Sequence, residues 1–280
     1  MPELPEVERA RRQIESVGVG RTITRCRCAN DRIVFDGVNP VTFGRTLKGR
    51  TIVAARRRGK QMWIELDERP WPTLHLGMTG HVRSPDDEGI KYEAGAKQVD
   101  TSWPPKFWKV IVELDDGGMF SMTNPRRLGR IRLKDDPEHE PPISKLGFDP
   151  LLGMPNAAAF RDLIRKRRGG SSAKGLLMDQ SFAAGVGNWI ADEVLYQAKI
   201  DPRRTIGDLD DADIIRMRTK LGSVITKACA VNADKRDFPR TWLFHRRWGK
   251  DPDARTHDGH PIEHLTIGGR TTAWVPAKQR

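Results

Sequence analysis

The chain has 280 residues, with 49 Lys and Arg against 37 Asp and Glu, a net charge of +12 and a sequence pI near 9.9. That length suits about two domains, each with a real core, and no run of about 18 apolar residues is present to cross a membrane. Three cysteines without disulfide-like spacing argue against a disulfide scaffold, and the charged, immediately helical N-terminus argues against a signal peptide.

The expectation is therefore a soluble intracellular protein. The positive charge is clustered at Arg56-Arg57-Arg58-Gly59-Lys60, Arg165-Lys166-Arg167-Arg168 and Arg246-Arg247. Clusters on an otherwise mixed-charge chain point to a polyanionic partner, most often nucleic acid.

The chain opens Met1-Pro2-Glu3-Leu4-Pro5-Glu6. Initiator methionine is readily removed before a small second residue, which leaves Pro2 as a secondary amine beside Glu3 and Glu6. An α-amino group titrates at about 7.7–8, so a useful minority is unprotonated at neutral pH. Attack of such an amine on a sugar aldehyde carbon gives an iminium ion, an electron sink for elimination. Glu3 and Glu6 can supply acid and base work beside it. The plainer reading of the same stretch is a proline-led helix start with acids at the positive end of the dipole. The six residues alone fit either.

Residues 5–17 read as an amphipathic helix, with Val7, Ala10, Ile14 and Val17 at helical spacing and Gly18 as the stop. From about residue 21 the period becomes two. Strands are predicted at Thr22–Cys28, Thr51–Ala55, Met62–Leu66, Leu74–Met78, Phe107–Leu114 and Met119–Met122, the last two joined by a turn at Asp115–Gly118. Many short strands after one helix suggest a β-sandwich of roughly 130 residues. Cys26 and Cys28 alternate onto one face of the first strand. Lys60 falls where two strands turn back after Gly59. It reads either as a solvated tip or as a cation reaching a phosphate or sugar oxygen.

An acidic, proline-rich link at Asp135–Pro142 precedes a switch to helix. Asn156 can cap a helix over Ala157–Arg168, a short helix follows at Ala173–Asp179, and Gly185-Val186-Gly187-Asn188 enters a third that closes at Asp201-Pro202. A longer helix at about 209–231 carries Ile214, Leu221, Val224, Ile225, Ala228 and Cys229 on its apolar face. The glycine-asparagine turn is no dinucleotide fingerprint, since no strand precedes it and a third glycine is missing. It is a tight turn or an N–H-rich helix start suited to phosphate. Thr266–Val275 reads as a hairpin with Arg270 at or just past the Gly268-Gly269 turn, either exposed or inserted between phosphates. His257, His260 and His264 lack further ligands nearby and read as loop histidines rather than zinc ligands.

Together these segments resemble the formamidopyrimidine-DNA glycosylase (Fpg/Nei) family of base-excision repair enzymes, over nearly the whole chain. The resemblance rests on Met1-Pro-Glu-Leu-Pro-Glu-Val7, the Gly59-Lys60 turn, His75-Leu-Gly-Met-Thr-Gly80, Thr123-Asn-Pro-Arg-Arg127, Gly185-Val-Gly-Asn188 with Ala191-Asp-Glu193, and Gly268-Gly-Arg-Thr-Thr272. It implies an α+β fold: an N-terminal β-sandwich with a flanking helix, a helical domain with a helix–two-turn–helix motif, and a β-hairpin finger. The expected bounds are 2–134, a linker at 135–152, 153–231 and 232–280. No cysteine follows Cys229, so the finger resembles the plant and fungal zincless type, held by packing around Trp242 and Trp274. No metal or cofactor is expected.

Position by position, the resemblance makes Pro2 the nucleophile at C1′, Glu3 the residue that protonates the opening sugar, and Glu6 its support. Lys60, Asn188 (with Gly187 before it) and Arg270 would clamp phosphates. Met78 and Arg126 would fill the hole left by an everted base. Leu128 stands at the third wedge position, where the family usually has Phe, and an aliphatic side chain there unstacks a base step but stacks poorly. The implied activity is a bifunctional DNA glycosylase/AP lyase, a monomer acting on duplex DNA with oxidised purines or abasic sites. The segment between Val231 and Trp248 is short beside bacterial members, which favours formamidopyrimidines and hydantoins over 8-oxoguanine. Two alternatives are a Nei-like enzyme for oxidised pyrimidines and a non-catalytic protein that only binds damaged DNA.

Overall fold

The computed structural model describes residues 2–87, 102–167 and 169–280, so Met1 and Arg168, both named above, lie outside the described residues. The chain forms two compact units, Met1–Lys145 with Asn232–Arg236, and Leu146–Val231 with Asp237–Arg280.

The first unit contains α1 (Leu4–Gly18), β1 (Ile23–Cys28), α2 (Pro40–Leu47), β2 (Ile52–Arg58), β3 (Gln61–Leu66), β4 (Trp71–His75), β5 (His81–Arg83), β6 (Trp108–Leu114), β7 (Met119–Thr123) and β8 (Arg130–Lys134). Two four-stranded antiparallel sheets, ordered β1-β6-β7-β5 and β2-β3-β4-β8, make the expected sandwich. Alternation along each strand supplies the core: Val110, Val112 and Leu114 from β6 pack with Met62, Ile64 and Leu66 from β3 and with Val7, Ala10 and Ile14 from α1. Sequence period had run one strand through Leu74–Met78. The structure ends β4 at His75, because Gly77 turns the chain at φ +63 and the apolar residues beyond belong to a loop.

Three elements of this unit lie outside the sequence reading. Helix α2 is short and is held by Asn39, whose side chain accepts the Val41 N–H at 2.8 Å. Strand β5 spans only three residues. Strand β8 reads Arg-Ile-Arg-Leu-Lys, and only Ile131 in it is fully buried, so its composition looks like surface.

The second unit contains α3 (Ala157–Arg165), α4 (Ala173–Met178), α5 (Asn188–Ala198), α6 (Asp211–Ala230), β9 (Glu263–Ile267) and β10 (Arg270–Trp274). Asn156 caps α3 as expected, but the helix ends at Arg165 instead of running to Arg168. A glycine pair at Gly169-Gly170 leaves little helical propensity to extend it. Helix α5 is buried almost all round, from Trp189 to Leu195. Strands β9 and β10 form a hairpin from Ile267↔Arg270 to Glu263↔Trp274, closed by Gly268 and Gly269 at φ +55 and +71. Two positive φ values in a two-residue turn explain the glycine pair. Among the described residues no helix is long and apolar enough to cross a membrane.

Candidate active site

Pro2 is buried immediately ahead of α1, and Glu3 is the N-cap of that helix, 2% exposed. Glu3 and Glu6 form a reciprocal capping box. The Glu3 N–H donates to Glu6 Oε2 at 3.0 Å, and the Glu3 carboxylate accepts the Glu6 N–H. The two acids beside the proline are thus fixed by backbone hydrogen bonds rather than left as swinging side chains. Lys235, remote in sequence but part of the same unit, lies in the field of both carboxylates. Burial lowers its pKa, and Glu6 and Glu3 oppose that shift. His81 on β5 is pushed down to about 4, first by burial and then by cations that include Arg9, Lys235 and Arg83, so it is neutral at pH 7.

Lys60 sits at the tip of the β2–β3 hairpin, after Gly59 at φ +57, where Arg58 pairs with Gln61. Behind it, Arg57 Nε donates to Glu8 Oε2 at 2.9 Å and Arg57 Nη1 donates to the Gly59 carbonyl at 3.0 Å. This ties α1 to the turn that carries Lys60. Burial alone would raise the Glu8 carboxyl, but hydrogen bonds from Arg11 and Arg57 outweigh it and hold the pKa low. His75, at the end of β4, is pushed down to about 4 by burial and then by Lys60, Arg132 and Arg130.

Asn124 brings together the loops that carry Met78, Arg126 and Leu128. Its Nδ2 donates to the Leu76 carbonyl at 2.8 Å and its Oδ1 accepts the Gly129 N–H at 3.0 Å, in a side chain closed to solvent. The loop bearing Met78 and the loop bearing Arg126 and Leu128 are therefore one assembly. A Cβ at Gly77 would stand 2.5 Å from the Leu128 carbonyl carbon, so the two backbones meet only because residue 77 is glycine. Arg126 is exposed, and Leu128 is 44% exposed. Arg127, at φ +55, turns away and grips Asp31 with two hydrogen bonds of 3.0 Å; Lys109 completes that pair at 2.8 Å. Burial would raise the Asp31 carboxyl, and these cations hold it well below the usual carboxylate range instead.

In the second unit Gly187 is the N-cap of α5 and Asn188 its first residue. Gln180 braces the turn before them: its Nε2 donates to the Val186 carbonyl at 2.8 Å and its Oε1 accepts the Gly185 N–H at 3.1 Å. Asn188 Nδ2 donates to the Thr271 carbonyl at 2.9 Å, which places it beside the start of β10, where Arg270 is exposed. Asp192, one turn along α5, lies 2.7 Å from Lys174 Nζ, pairs with Arg247, and accepts the Ala273 N–H at 3.1 Å. Lys174 also donates to Thr272 Oγ1 at 2.6 Å. The hairpin is thereby fastened to α4 and α5.

Aromatic packing ties the segment around Trp242 to α5, and a cation–π contact flanks the end of β10. Trp242 stacks within a cluster of Trp189, Phe238 and Phe244, and the Arg203 guanidinium lies 4.3 Å from the Trp274 ring centroid. No group of three His, Cys, Asp or Glu able to hold a metal ion occurs among the described residues.

Sequence reasoning missed the roles of six residues. Asn124 lay inside a quoted motif without a role. Glu8 does not stand out in sequence, and Arg57 reads with the Arg56–Lys60 cluster as facing a polyanion, whereas both are buried against each other. Lys174 and Asp192 had no visible relation across the residues between them. For Lys235 no local sequence signal exists, because only the tertiary fold brings it to the N-terminus.

The family model for the formamidopyrimidine-DNA glycosylase N-terminal domain matches residues 1–131, and that for the formamidopyrimidine-DNA glycosylase H2TH domain matches residues 146–239. A formamidopyrimidine-DNA glycosylase of Arabidopsis thaliana is 43% identical over 280 residues, covering 100% of this chain and 71% of that protein. One from Geobacter metallireducens is 30% identical over 284 residues, with both chains covered in full. Among solved structures, the Lactococcus lactis enzyme non-covalently bound to DNA containing an AP site superposes with a TM-score of 0.79 at 25% identity, covering 99% of each chain. A MutM complex with DNA containing carbocyclic 8-oxo-G gives a TM-score of 0.80 at 25% identity over both full chains.

Proposed function

Because the chain belongs to the formamidopyrimidine-DNA glycosylase family, we propose that this base-excision repair DNA glycosylase acts on oxidised purines through the amine of Pro2, exposed once Met1 is removed. The observation that carries this reading is the buried Glu3–Glu6 capping box directly after Pro2. It holds two acids beside the amine at the cost of no flexible side chain.

Duplex DNA is the partner, and the exposed members of the basic clusters, Arg56, Arg165, Lys166 and Arg246, supply its sequence-independent affinity. Arg57 and Arg247 are instead buried against Glu8 and Asp192. Met78, Arg126 and Leu128 enter the stack as a base is everted, and phosphate contacts from Lys60, Asn188 and Arg270 offset an unstacking cost of a few kcal/mol. The Pro2 nitrogen attacks C1′ as the C1′–N bond to the base breaks, and the proton lost from the Pro2 nitrogen goes to the departing base. Glu3 delivers a proton to the ring oxygen, the sugar opens, and nitrogen and C1′ form an iminium ion. Loss of a C2′ proton expels the 3′ phosphate, a second elimination expels the 5′ phosphate, and a one-nucleotide gap remains. Glu6 holds Glu3 in place through these steps. These roles divide the chain into a catalytic domain at 2–134, a linker at 135–152, a helical DNA-binding domain at 153–231 and a finger at 232–280.

Formamidopyrimidines and hydantoins are the preferred lesions, ahead of 8-oxoguanine, because the segment between Val231 and Trp248 is short and its Lys235 stands close to Glu3 and Glu6. In a eukaryote such an enzyme works in the nucleus, in a bacterium at the nucleoid.

Borohydride trapping on duplex DNA with an abasic site tests the reading, after mass spectrometry has confirmed removal of Met1. An adduct that maps to Pro2, and is absent when Met1 is retained, is the expected result. Tight binding by processed protein with no adduct would instead leave a protein that only binds damaged DNA.

A further inference from the structure

Strand β1 carries Cys26-Arg27-Cys28, and its alternation puts both thiols on the face that packs toward the core and α2. Their sulfur atoms are 3.8 Å apart. Both residues are half-buried, whereas Cys229 is buried in α6. β1 is the edge strand of its sheet, and both cysteines retain partial exposure to solvent. Helix α2 passes over the pair at Gly44, where a Cβ would meet the Cys26 carbonyl oxygen at 2.8 Å and the Cys28 Sγ at 3.5 Å.

The hydrogen bond between the sulfurs polarises them. It lowers the Cys28 pKa, helped against burial by the Gly44 backbone, while the same bond and burial raise Cys26. One sulfur is thus the better nucleophile and the other keeps its proton. None of the groups assigned to the glycosylase reaction takes part.

We propose that Cys26 and Cys28 form a reversible dithiol–disulfide site, oxidised by hydroperoxides and reduced by dithiols. The Cys28 thiolate attacks the peroxide, breaking its O–O bond: sulfur is oxidised by two electrons to the sulfenic acid and the peroxide is reduced to an alcohol or water. The Cys26 sulfur then attacks the sulfenic sulfur, the S–S bond forms as the S–O bond breaks, and the leaving hydroxide takes the Cys26 proton to become water. Alternate residues of a strand lie about 6.6–6.8 Å apart, at the long end of the roughly 4.4–6.8 Å that disulfides span between Cα atoms. The bond therefore closes under strain, and strained disulfides are the readily reduced ones.

Hydrogen peroxide is added to the whole folded protein, the reaction is quenched in acid, and free thiols are blocked in denaturant. Reduction and a second, distinguishable label follow. Cleavage after Arg25, Arg27 and Arg32 separates the two cysteines for analysis. Expected are second-label incorporation at Cys26 and Cys28 together, an intact mass lower by about 2 Da for the two hydrogens lost, and recovery with dithiothreitol, while Cys229 keeps the first label. In Cys26→Ser, Cys28 should be trapped by dimedone as the sulfenic acid. The proposal is overturned if both thiols stay free, if they pass to sulfinic acid without cross-linking, or if the urea-unfolded chain forms the bond as fast as the folded one.

Discussion

Arg57 and Glu8 form an ion pair closed to water, with Nε 2.9 Å from Oε2 and side chains 1% and 7% exposed. The same guanidinium holds the Gly59 carbonyl, so the helix that begins beside Pro2 and the turn that carries Lys60 are linked through one residue. A buried charge left wholly without its partner costs about 3–5 kcal/mol, but Glu8 keeps Arg11 at 3.0 Å and Arg12 at 3.1 Å when Arg57 is removed. Arg57→Ala should therefore lower stability by less than that in urea unfolding. Arg57→Lys should recover part of the stability but lose the fork that reaches both acceptors. Its abasic-site cleavage should therefore fall further than its stability does.

Glu3 has a different signature. Glu3→Gln keeps an oxygen that can accept the Glu6 N–H, so the helix start should survive with a stability change within about 0.5 kcal/mol. Proton delivery to the opening sugar is lost. Single-turnover excision of a formamidopyrimidine should fall about 10²–10⁴-fold, with DNA affinity unchanged by fluorescence anisotropy. Equal losses in both would remove Glu3 from the chemistry.

Protonation acts in opposite senses in the two units. His75 and His81 have folded values of about 4 against an ordinary 6.5. A proton bound more weakly in the folded state means that stability is complete above 6.5 and drains away as pH falls toward 4, on the order of 2–3 kcal/mol for each ring. Glu193 is raised from 4.5 to about 7, chiefly by burial, so its contribution is complete below 4.5 and is lost as pH rises through 7. Urea midpoints measured from pH 4 to 8 should show His75→Gln flattening the acid limb and Glu193→Gln removing a loss of stability between about pH 4.5 and 7, so that the curve climbs more steeply toward neutrality.

Leu128 is 44% exposed, so enlarging it strains no core. Leu128→Phe should leave the unfolding midpoint unchanged and strengthen binding to abasic-site DNA by about 1–3 kcal/mol, the range for one base stacked on an aromatic ring. Titration against DNA with and without the abasic site checks this. An equal gain on both would show the ring adding general affinity instead of filling a vacated position.

Much of the site was legible because its chemistry is local. Pro2, Glu3 and Glu6 are contiguous, the Gly268-Gly269 pair announces the turn ahead of Arg270, and the alternation in β3 and β6 gives the sandwich core. What was not legible depends on contacts distant in sequence. Lys235 reaches the first unit only through the fold, and Asp192 meets Lys174 and Arg247 from separate segments. β8 hid behind its arginines, and α2 is too short to show a period. The overlong strand at Leu74–Met78 failed for a related reason. Leu76 is a core residue although it lies past the end of β4, and apolar spacing alone does not separate a core-packed loop from a strand.

The Asn124 clasp bears on what kind of tool the proposed wedge would be. Met78, Arg126 and Leu128 come from two loops, yet one buried amide and two glycine-lined backbones bind those loops into a single plate. Three independent fingers would each have to find their place as a base leaves the helix, at an ordering cost for every one. A plate registers all three in one movement. Its shape as a whole, rather than the reach of any one side chain, would then determine which distortions of DNA the enzyme can follow.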